Sequence, residues 1–385
     1  MTRQSKGRIL AIDTGSTSTK IGYFVDGNLL FQENIKHSAQ EIGGFSDVMD
    51  QKDMRKEAVR IFLQGKSIHA GDIDIVMARG GLFAPVVTGV YEVNPDMEEI
   101  LMSCRDGKHA CNLSAVIAKE IADEVTTKNV SRGNVMPFGP CKAYVADPPM
   151  ADEMLPECRI GGLPELQRRA FFHALNSRAI VREYLRDHGH ASNDITAIVA
   201  HMGGGITITL HRNGKVIDTN NGLGGDGPFS PERVGSCPGF QLVDLCFSGR
   251  YTEKEIKKKL VGSGGAVAFF GTNDIKDLMR RGENGDHKAD VWMKAFVLNI
   301  SKYIASEAAT VCGKVDAILL TGGIAYSERI VEKIRERVGF IAPIEVYPGE
   351  FELRSLSEHG YMILSGEEEI LEYDKDAPFP DPFAE

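Results

Sequence analysis

The sequence predicts an α/β protein made of two related halves, and three observations predict it. An apolar run ends in a hydroxyl-rich turn and a second β-rich run returns: residues 9–24, centred on Asp13-Thr14-Gly15-Ser16-Thr17-Ser18-Thr19-Lys20. The arrangement recurs about half a chain later in residues 197–218, around His201-Met202-Gly203-Gly204-Gly205. Elsewhere short β-rich runs alternate with stretches of helical period, the order of a layered α/β fold. Tight turns of this kind present backbone N–H groups and hydroxyls, so a pair of them suits a phosphate chain held in a cleft between two domains.

The elements follow in order. Asp26-Gly27 turns the chain into a third strand over 29–34, and residues 53–66 form an amphipathic helix. A buried strand over 74–78 ends at Arg79-Gly80-Gly81, helices occupy 95–103 and 111–124, and a strand over 142–146 ends at Asp147 before the breaker Pro148-Pro149. Apolar residues at helical spacing place helices over 163–175 and 178–188. The second hairpin leads into a loop, Asn220 to Pro238, with five glycines and three prolines. Loops longer than roughly 12–15 residues are uncommon unless functional. Helices over 274–281 and 288–311, a strand over 317–320, Thr321-Gly322-Gly323, and a helix from near Ser327 to Arg337 come next. A strand over 344–347 and a helix over 353–365 complete the pattern, and the acidic, Pro-rich tail from Asp374 reads as a loosely packed end. The expected division is a first domain over 1–147 closed by a helix within 353–372, a second over 148–352, and a tail over 373–385.

Composition narrows the function. A chain of 385 residues with 42% apolar and 25% charged content is an ordinary globular protein. A net charge of −10 disfavours nucleic acid as a partner. The seven cysteines are odd in number and contain no C-x-x-C, so neither a disulfide framework nor a zinc site is expected, and a reducing compartment is. The first apolar run is too short for a signal peptide, and no stretch approaches the roughly 18 apolar residues of a membrane span. The expectation is a cytoplasmic protein with no membrane partner.

Each candidate residue has a plainer alternative. Asp13-x-Gly15-Ser16-Thr17-Ser18 could be a simple β-turn, but four hydroxyls beside a lysine exceed what one turn needs. His201 to Gly205 could be a flexible turn, and Gly322-Gly323 a packing turn between strand and helix. The three in this order are more specific than any one alone. Arg79 at a strand end and Arg233 in the glycine loop carry the planar fork that suits phosphate and carboxylate oxygens. His173 follows Phe171-Phe172, where core packing is the plainer role. Asp147 could only cap the next segment, and Ser327 could be a helix N-cap. His109 and His211 have no supporting context, and Glu367–Glu369 reads as a solvated face.

With these pieces in place, the chain resembles the butyrate kinase branch of the acetate kinase family, within the superfamily of sugar kinases, actin and the heat-shock chaperone ATPase domain. The likeness runs over roughly residues 8 to 372. Its most specific stretch is Val216 to Arg233, and Gly15-Ser16-Thr17-Ser18-Thr19-Lys20, Arg79-Gly80-Gly81, Phe172-His173-Ala174-Leu175-Asn176 and His201 to Gly205 also match. The resemblance implies the actin-like ATPase fold and transfer of the ATP γ-phosphoryl to a short-chain carboxylate, giving an acyl phosphate and ADP. It implies that Arg79 and Arg233 flank the carboxylate and the transferring phosphoryl, that His173 donates to that phosphoryl, and that Asp147 positions or polarises near the attacking carboxylate. Nucleotide binding falls to Gly15, Ser16, Thr17, Ser18, His201, Gly203, Gly204, Gly205, Asp274, Ile275, Lys276, Gly322, Gly323 and Ser327. Phe172 and Gly224 fall to the acyl group. Mg²⁺ is implied, held by a glutamate near the domain return for which Glu350 and Glu352 both qualify. The family is oligomeric, so at least a homodimer is expected.

The residue types suit the chemistry. A carboxylate is ionised at neutral pH and needs no general base; the difficulty is bringing one anion against another, which guanidiniums, an imidazolium and Mg²⁺ relieve. Two positions depart from the family. Asp13 stands where family members carry Asn, and a carboxylate repels phosphate, so Asp13 is expected to face Mg²⁺ or its waters. Gly224 stands where acetate kinases tend to carry Pro, from which a roomier acyl pocket suited to a three- to five-carbon acid over acetate is expected. Another carboxylate (acetate, propionate or an aromatic acid) or a nucleotide-dependent switch protein are the alternatives.

Overall fold

A strand covered on both faces reads as a continuous apolar run. Ile9–Ile12, Ile75–Ala78, Ala197–Ala200 and Ala317–Leu320 are such runs, and all of them are buried. They lie at the centres of two sheets in a computed structural model that describes residues 6–190 and 192–383. The chain divides into two units, one running to Asp152 and rejoined by Phe351–Pro380, the other Glu153–Glu350.

In the first unit β1 (Arg8–Thr14), β2 (Ser18–Val25) and β3 (Asn28–Lys36) form an antiparallel meander, followed by β4 (Ile75–Arg79), β5 (Val90–Glu92) and β6 (Lys142–Ala146). β4 lies parallel to β1, and β6 parallel to β4. β5 and the two-residue strand Ile370–Leu371 extend the far edge. The helix Asn112–Arg132 packs on β4 and β6, and Glu352–Ser365 packs on β1 and β4. Gly360 allows the second contact, because a Cβ there would stand 2.7 Å from Ile9 Cδ1.

The second unit repeats this order. β7 (Thr196–Met202), β8 (Ile206–Arg212) and β9 (Lys215–Thr219) form a meander, β10 (Ala317–Gly322) lies parallel to β7, and β11 (Ile344–Pro348) parallel to β10. The five-strand order β11-β10-β7-β8-β9 therefore matches β6-β4-β1-β2-β3. The internal relation between the two hairpins is one of sheet topology as well as of sequence. The helix His287–Thr310 covers β7 and β8 with Trp292, Phe296, Ile300 and Ile304. Each of these fully covered side chains contributes on the order of 1.5–3 kcal/mol.

Three expectations need correction. Residues 163–173 are not helical; the helix begins at Ala174 and runs to Asp187. Tertiary bonds take the segment instead: Arg168 donates to Asp218 Oδ1 at 3.0 Å and to the Thr219 carbonyl at 2.9 Å, and Phe171 bridges to Asn221. The start of the tail is tied down, with Lys375 Nζ 2.6 Å from Glu99 and Tyr373 packed edge-on against Phe83 at 5.0 Å. Glu368 is not simply solvated, as described below. Helices Gly239–Cys246, Glu253–Leu260 and Gly265–Phe270 occupy a stretch for which the periodicity predicts no element.

Candidate functional site

In the first unit the site residues gather where β1 and β4 end. Antiparallel register sets Asp13 opposite Lys20, with Oδ2 3.9 Å from the lysine Nζ. Arg79, the last residue of β4, donates from Nη1 to Asp13 Oδ1 at 3.3 Å. Burial works against the Arg79 charge, but Asp13 and then Glu352 outweigh it, and the guanidinium is held more firmly protonated than usual. Gly80 and Gly81 follow because the chain passes close to its neighbours: a Cβ on Gly81 would stand 2.6 Å from the Asn112 backbone. Of the two glutamates, Glu352 is buried in the first turn of its helix with its charge felt at Arg79, whereas Glu350 is exposed. The hairpin turn is closed by the Gly15 amide donating to the Ser18 carbonyl at 2.8 Å, leaving Ser16 and Thr17 exposed. His109, to which the sequence assigned nothing, meets Ser16 Oγ through Nε2 at 3.1 Å; its Nδ1 accepts from the Cys111 amide.

Asp147 is buried at the end of β6 with φ +43, a conformation non-glycine residues adopt at a cost and most often at functional positions. Its Oδ2 lies 3.2 Å from His359 Nε2, and His359 Nδ1 lies 2.9 Å from Glu368 Oε2. His359 thus links the two carboxyl groups through its two ring nitrogens. His359 is a functional candidate that sequence reading missed, and Glu368 belongs with it.

The second unit holds the other set. Gly203 closes its turn by donating to the Gly205 carbonyl at 3.1 Å. Asn176 Nδ2 donates to His201 Nδ1 at 2.8 Å and reaches Thr321 Oγ1 at 3.3 Å. In neutral His201 the proton therefore sits on Nε2, 3.5 Å from where a Gly203 Cβ would stand. His173, at the head of the helix rather than inside it, stacks on His201 with centroids 3.9 Å apart, and its Nδ1 lies 2.9 Å from Thr207 Oγ1. Arg233 lies over Gly205, where any Cβ would collide with the guanidinium, and it donates to the Gly222 carbonyl. Ser230 Oγ anchors this loop by donating to the Gly204 carbonyl at 2.6 Å and accepting from the Arg233 amide at 3.0 Å.

Beside that turn is a cavity of about 380 Å³, in the usual range for small-molecule sites. Gly203, Gly204, Asp274, Ile275, Lys276, Gly323 and Ser327 line it, together with Pro231, Glu232, Asn273, Met279, Ile324 and Ile330. Seven residues expected at the nucleotide thus share one wall-to-wall space. Gly322 lies behind it at φ +87, where a Cβ would strike the Met202 carbonyl. Ser327 stands at the N-cap position without a side-chain capping bond, its hydroxyl 4.0 Å from Met279 Sδ.

At the two positions expected at the acyl group, Phe172 is buried in an apolar cluster with Met154, Cys158, Ala170, Ala174 and Val216. Gly224 opens no free volume of its own: the Asn221 side chain fills the place of its Cβ at 2.9 Å and accepts from the Gly224 amide at 2.6 Å. Among the described residues no group of three or more His, Cys, Asp or Glu side chains is arranged around a metal position. No helix there is long and apolar enough to cross a membrane. All seven cysteines are free thiols.

Two sheets of one topology, each opened by a hairpin with a glycine- or hydroxyl-rich turn, make this a two-unit α/β fold with an internal repeat. The chain belongs to the acetate kinase (acetokinase) family and is a carboxylate kinase. A profile of the acetokinase family matches residues 165–349. Butyrate kinase 2 of Clostridium acetobutylicum is 43% identical over 368 residues, covering 96% of this chain and 99% of that protein. Among solved structures, acetate kinase from Porphyromonas gingivalis superposes with TM-score 0.71 at 17% identity, over 93% of this chain and 100% of its own. A propionate kinase from Francisella tularensis gives TM-score 0.69 at 16% identity, over 92% and 98%. At those identities the structural likeness bears on the fold alone.

Proposed function

We propose that this chain transfers the γ-phosphoryl of ATP to butyrate or a branched-chain analogue, giving the acyl phosphate and ADP, and runs the reverse reaction. The observation that carries the choice of acid is the likeness to butyrate kinase 2 over almost the full length of both chains. A carboxylate oxygen attacks the γ-phosphorus as the bond to the β-bridging oxygen breaks, so the protein contributes positioning and charge more than proton transfer.

In the first unit, Arg79 is assigned to the substrate carboxylate, and Asp147 to positioning beside it. The Gly15-Ser16-Thr17-Ser18 turn is assigned to phosphate oxygens. In the second unit, His173 and Arg233 are assigned to the transferring phosphoryl, with Gly203, Gly204 and Gly205 along the phosphates. His201, whose Nε2 lies beside Gly203, is assigned to the same phosphates. Asp274, Ile275, Lys276, Gly322, Gly323 and Ser327 are assigned to the nucleoside side of the cavity.

Mg²⁺ typically keeps several waters and takes one or two protein carboxylates besides phosphate oxygens. Asp13 and the buried Glu352 are the carboxylates that would hold it, and the ion would neutralise charge on the phosphates. A homo-oligomeric, cytoplasmic enzyme fits the family resemblance and the cysteine usage. Trapping the acyl phosphate with hydroxylamine, over a panel of straight, branched and aromatic acids, tests the proposal. Hydroxamate from three- to five-carbon acids is expected, and none from any acid would refute it.

A further inference from the structure

Beneath the first hairpin turn lies an arginine for which the sequence motifs give no role. Arg55 is fully buried, in the helix Lys52–Gly65. Its guanidinium donates to the Ser18 carbonyl at 2.9 Å, the Ser16 carbonyl at 3.3 Å and Thr19 Oγ1 at 3.3 Å. Its remaining donors go to Gln51 Oε1 at 2.9 and 3.1 Å. Every one of these acceptors is neutral, and among the described residues no carboxylate forms an ion pair with the group. Burying a charge without a countercharge is costly, and arginine does not shed its proton to escape. Burial alone accordingly pulls Arg55 down to about 10, and its charge adds to the burial that keeps neighbouring His37 below its ordinary range.

The contacts also fix the turn. In a trans peptide the carbonyl and the next N–H point in opposite directions. Holding the Ser16 carbonyl down toward Arg55 therefore turns the Thr17 amide outward, and Thr17 is exposed. The Gly15 amide and Arg55 share the Ser18 carbonyl, which locks the other side of the turn.

We infer that Arg55 is a positioning residue for phosphate, setting the Ser16–Ser18 turn with its N–H outward and supplying from beneath it the positive charge that a bound phosphate chain balances. The inference rests on the assignment of that turn to phosphate oxygens. It makes the turn's affinity for anions depend on a side chain that never needs to touch the ligand.

The test compares Arg55→Met, Arg55→Lys and the double variant Ser16→Ala/Ser18→Ala, using the full chain. Calorimetry gives the Kd for ATP without carboxylate and the Kd for adenosine, and the melting temperature monitors the fold. Arg55→Met is expected to weaken ATP by at least about tenfold, the size of one charge-assisted contact, with adenosine unchanged within about twofold. Arg55→Lys, which keeps the charge but loses the fork and is the milder change should Arg55→Met fail to fold, is expected to weaken ATP measurably but less than Arg55→Met does. Wild-type ATP binding in Arg55→Met would overturn the inference. So would equal weakening of ATP and adenosine, or a folded Arg55→Lys as weak as expected for Arg55→Met. If the serine variant and Arg55→Met both bind ATP normally, the phosphate assignment of the turn fails as well; if only the serine variant is weak, the Arg55 inference fails alone.

Discussion

Arg79 Nη1 donates to Asp13 Oδ1 at 3.3 Å, joining the end of one central strand to the end of its parallel neighbour. The pair explains how a carboxylate can stand at a turn assigned to anions: its charge is set against Arg79 and Lys20 before any ligand arrives. It also couples two assigned roles, because a change at Asp13 alters the fork that Arg79 presents.

Asp13→Asn should stay folded, lower kcat by about 10² and raise the Mg²⁺ concentration for half-maximal rate several-fold. Titration of Mg²⁺ at saturating ATP and butyrate measures both. An unchanged magnesium requirement with a raised KM for butyrate would assign Asp13 to holding Arg79 only.

Arg233→Lys keeps the charge and loses the fork, and should reduce kcat by at least about 10² with modest change in the KM for ATP. Gly205→Ala should fail in the same way, since its Cβ lands on the Arg233 guanidinium. Steady-state kinetics of both variants would contradict the assignment if turnover were near normal.

His359→Phe keeps the ring volume and removes both hydrogen bonds. It should lower kcat/KM for butyrate about tenfold or more, as expected when a hydrogen bond to a buried charge is lost. Combined with Asp147→Ala it should add little, because both changes break the same contact. Additive losses in the double-mutant cycle would mean that His359 acts through packing and not through Asp147.

A further prediction concerns stability. Glu307 is buried beside Asp218, Arg168 and Asp226, and burial first, then Asp218, raise its carboxyl well above the ordinary range. The folded state therefore keeps a proton that the unfolded chain releases near pH 4.5. Stability is whole below that pH and falls by about 1.4 kcal/mol per unit as pH rises toward the folded value. Glu307→Gln removes the term, so its melting temperature relative to wild type should climb between pH 5 and pH 8. A constant difference across that range would contradict it.

The strands and the two hairpin turns were legible because burial on both faces leaves a continuous apolar run, and sharp reversals leave glycine and hydroxyls. Ile75–Arg79 and Lys142–Ala146 show this in their boundaries. The segment 163–173 was not legible, because its apolar spacing mimics a helix while Arg168 and Phe171 bind strand and loop residues far along the chain. His359 was hidden for a related reason: its partner Asp147 lies 212 positions away, and a lone histidine on an amphipathic helix looks like packing. At Gly224 the sequence shows only that a side chain is missing, and not that Asn221 fills the place of its Cβ. Arg55 carries no motif at all; only its burial and its neutral partners mark it.

The most direct test of the central claim is the reverse reaction, following ATP formed from synthetic butyryl phosphate and ADP. Stoichiometric ATP is predicted, with kcat/KM more than about tenfold above that for acetyl phosphate, since each methylene in an apolar pocket is worth roughly 1–3 kcal/mol. Equal efficiency on the two acyl phosphates would contradict the choice of acid. Release of inorganic phosphate without ATP would contradict the kinase reading itself.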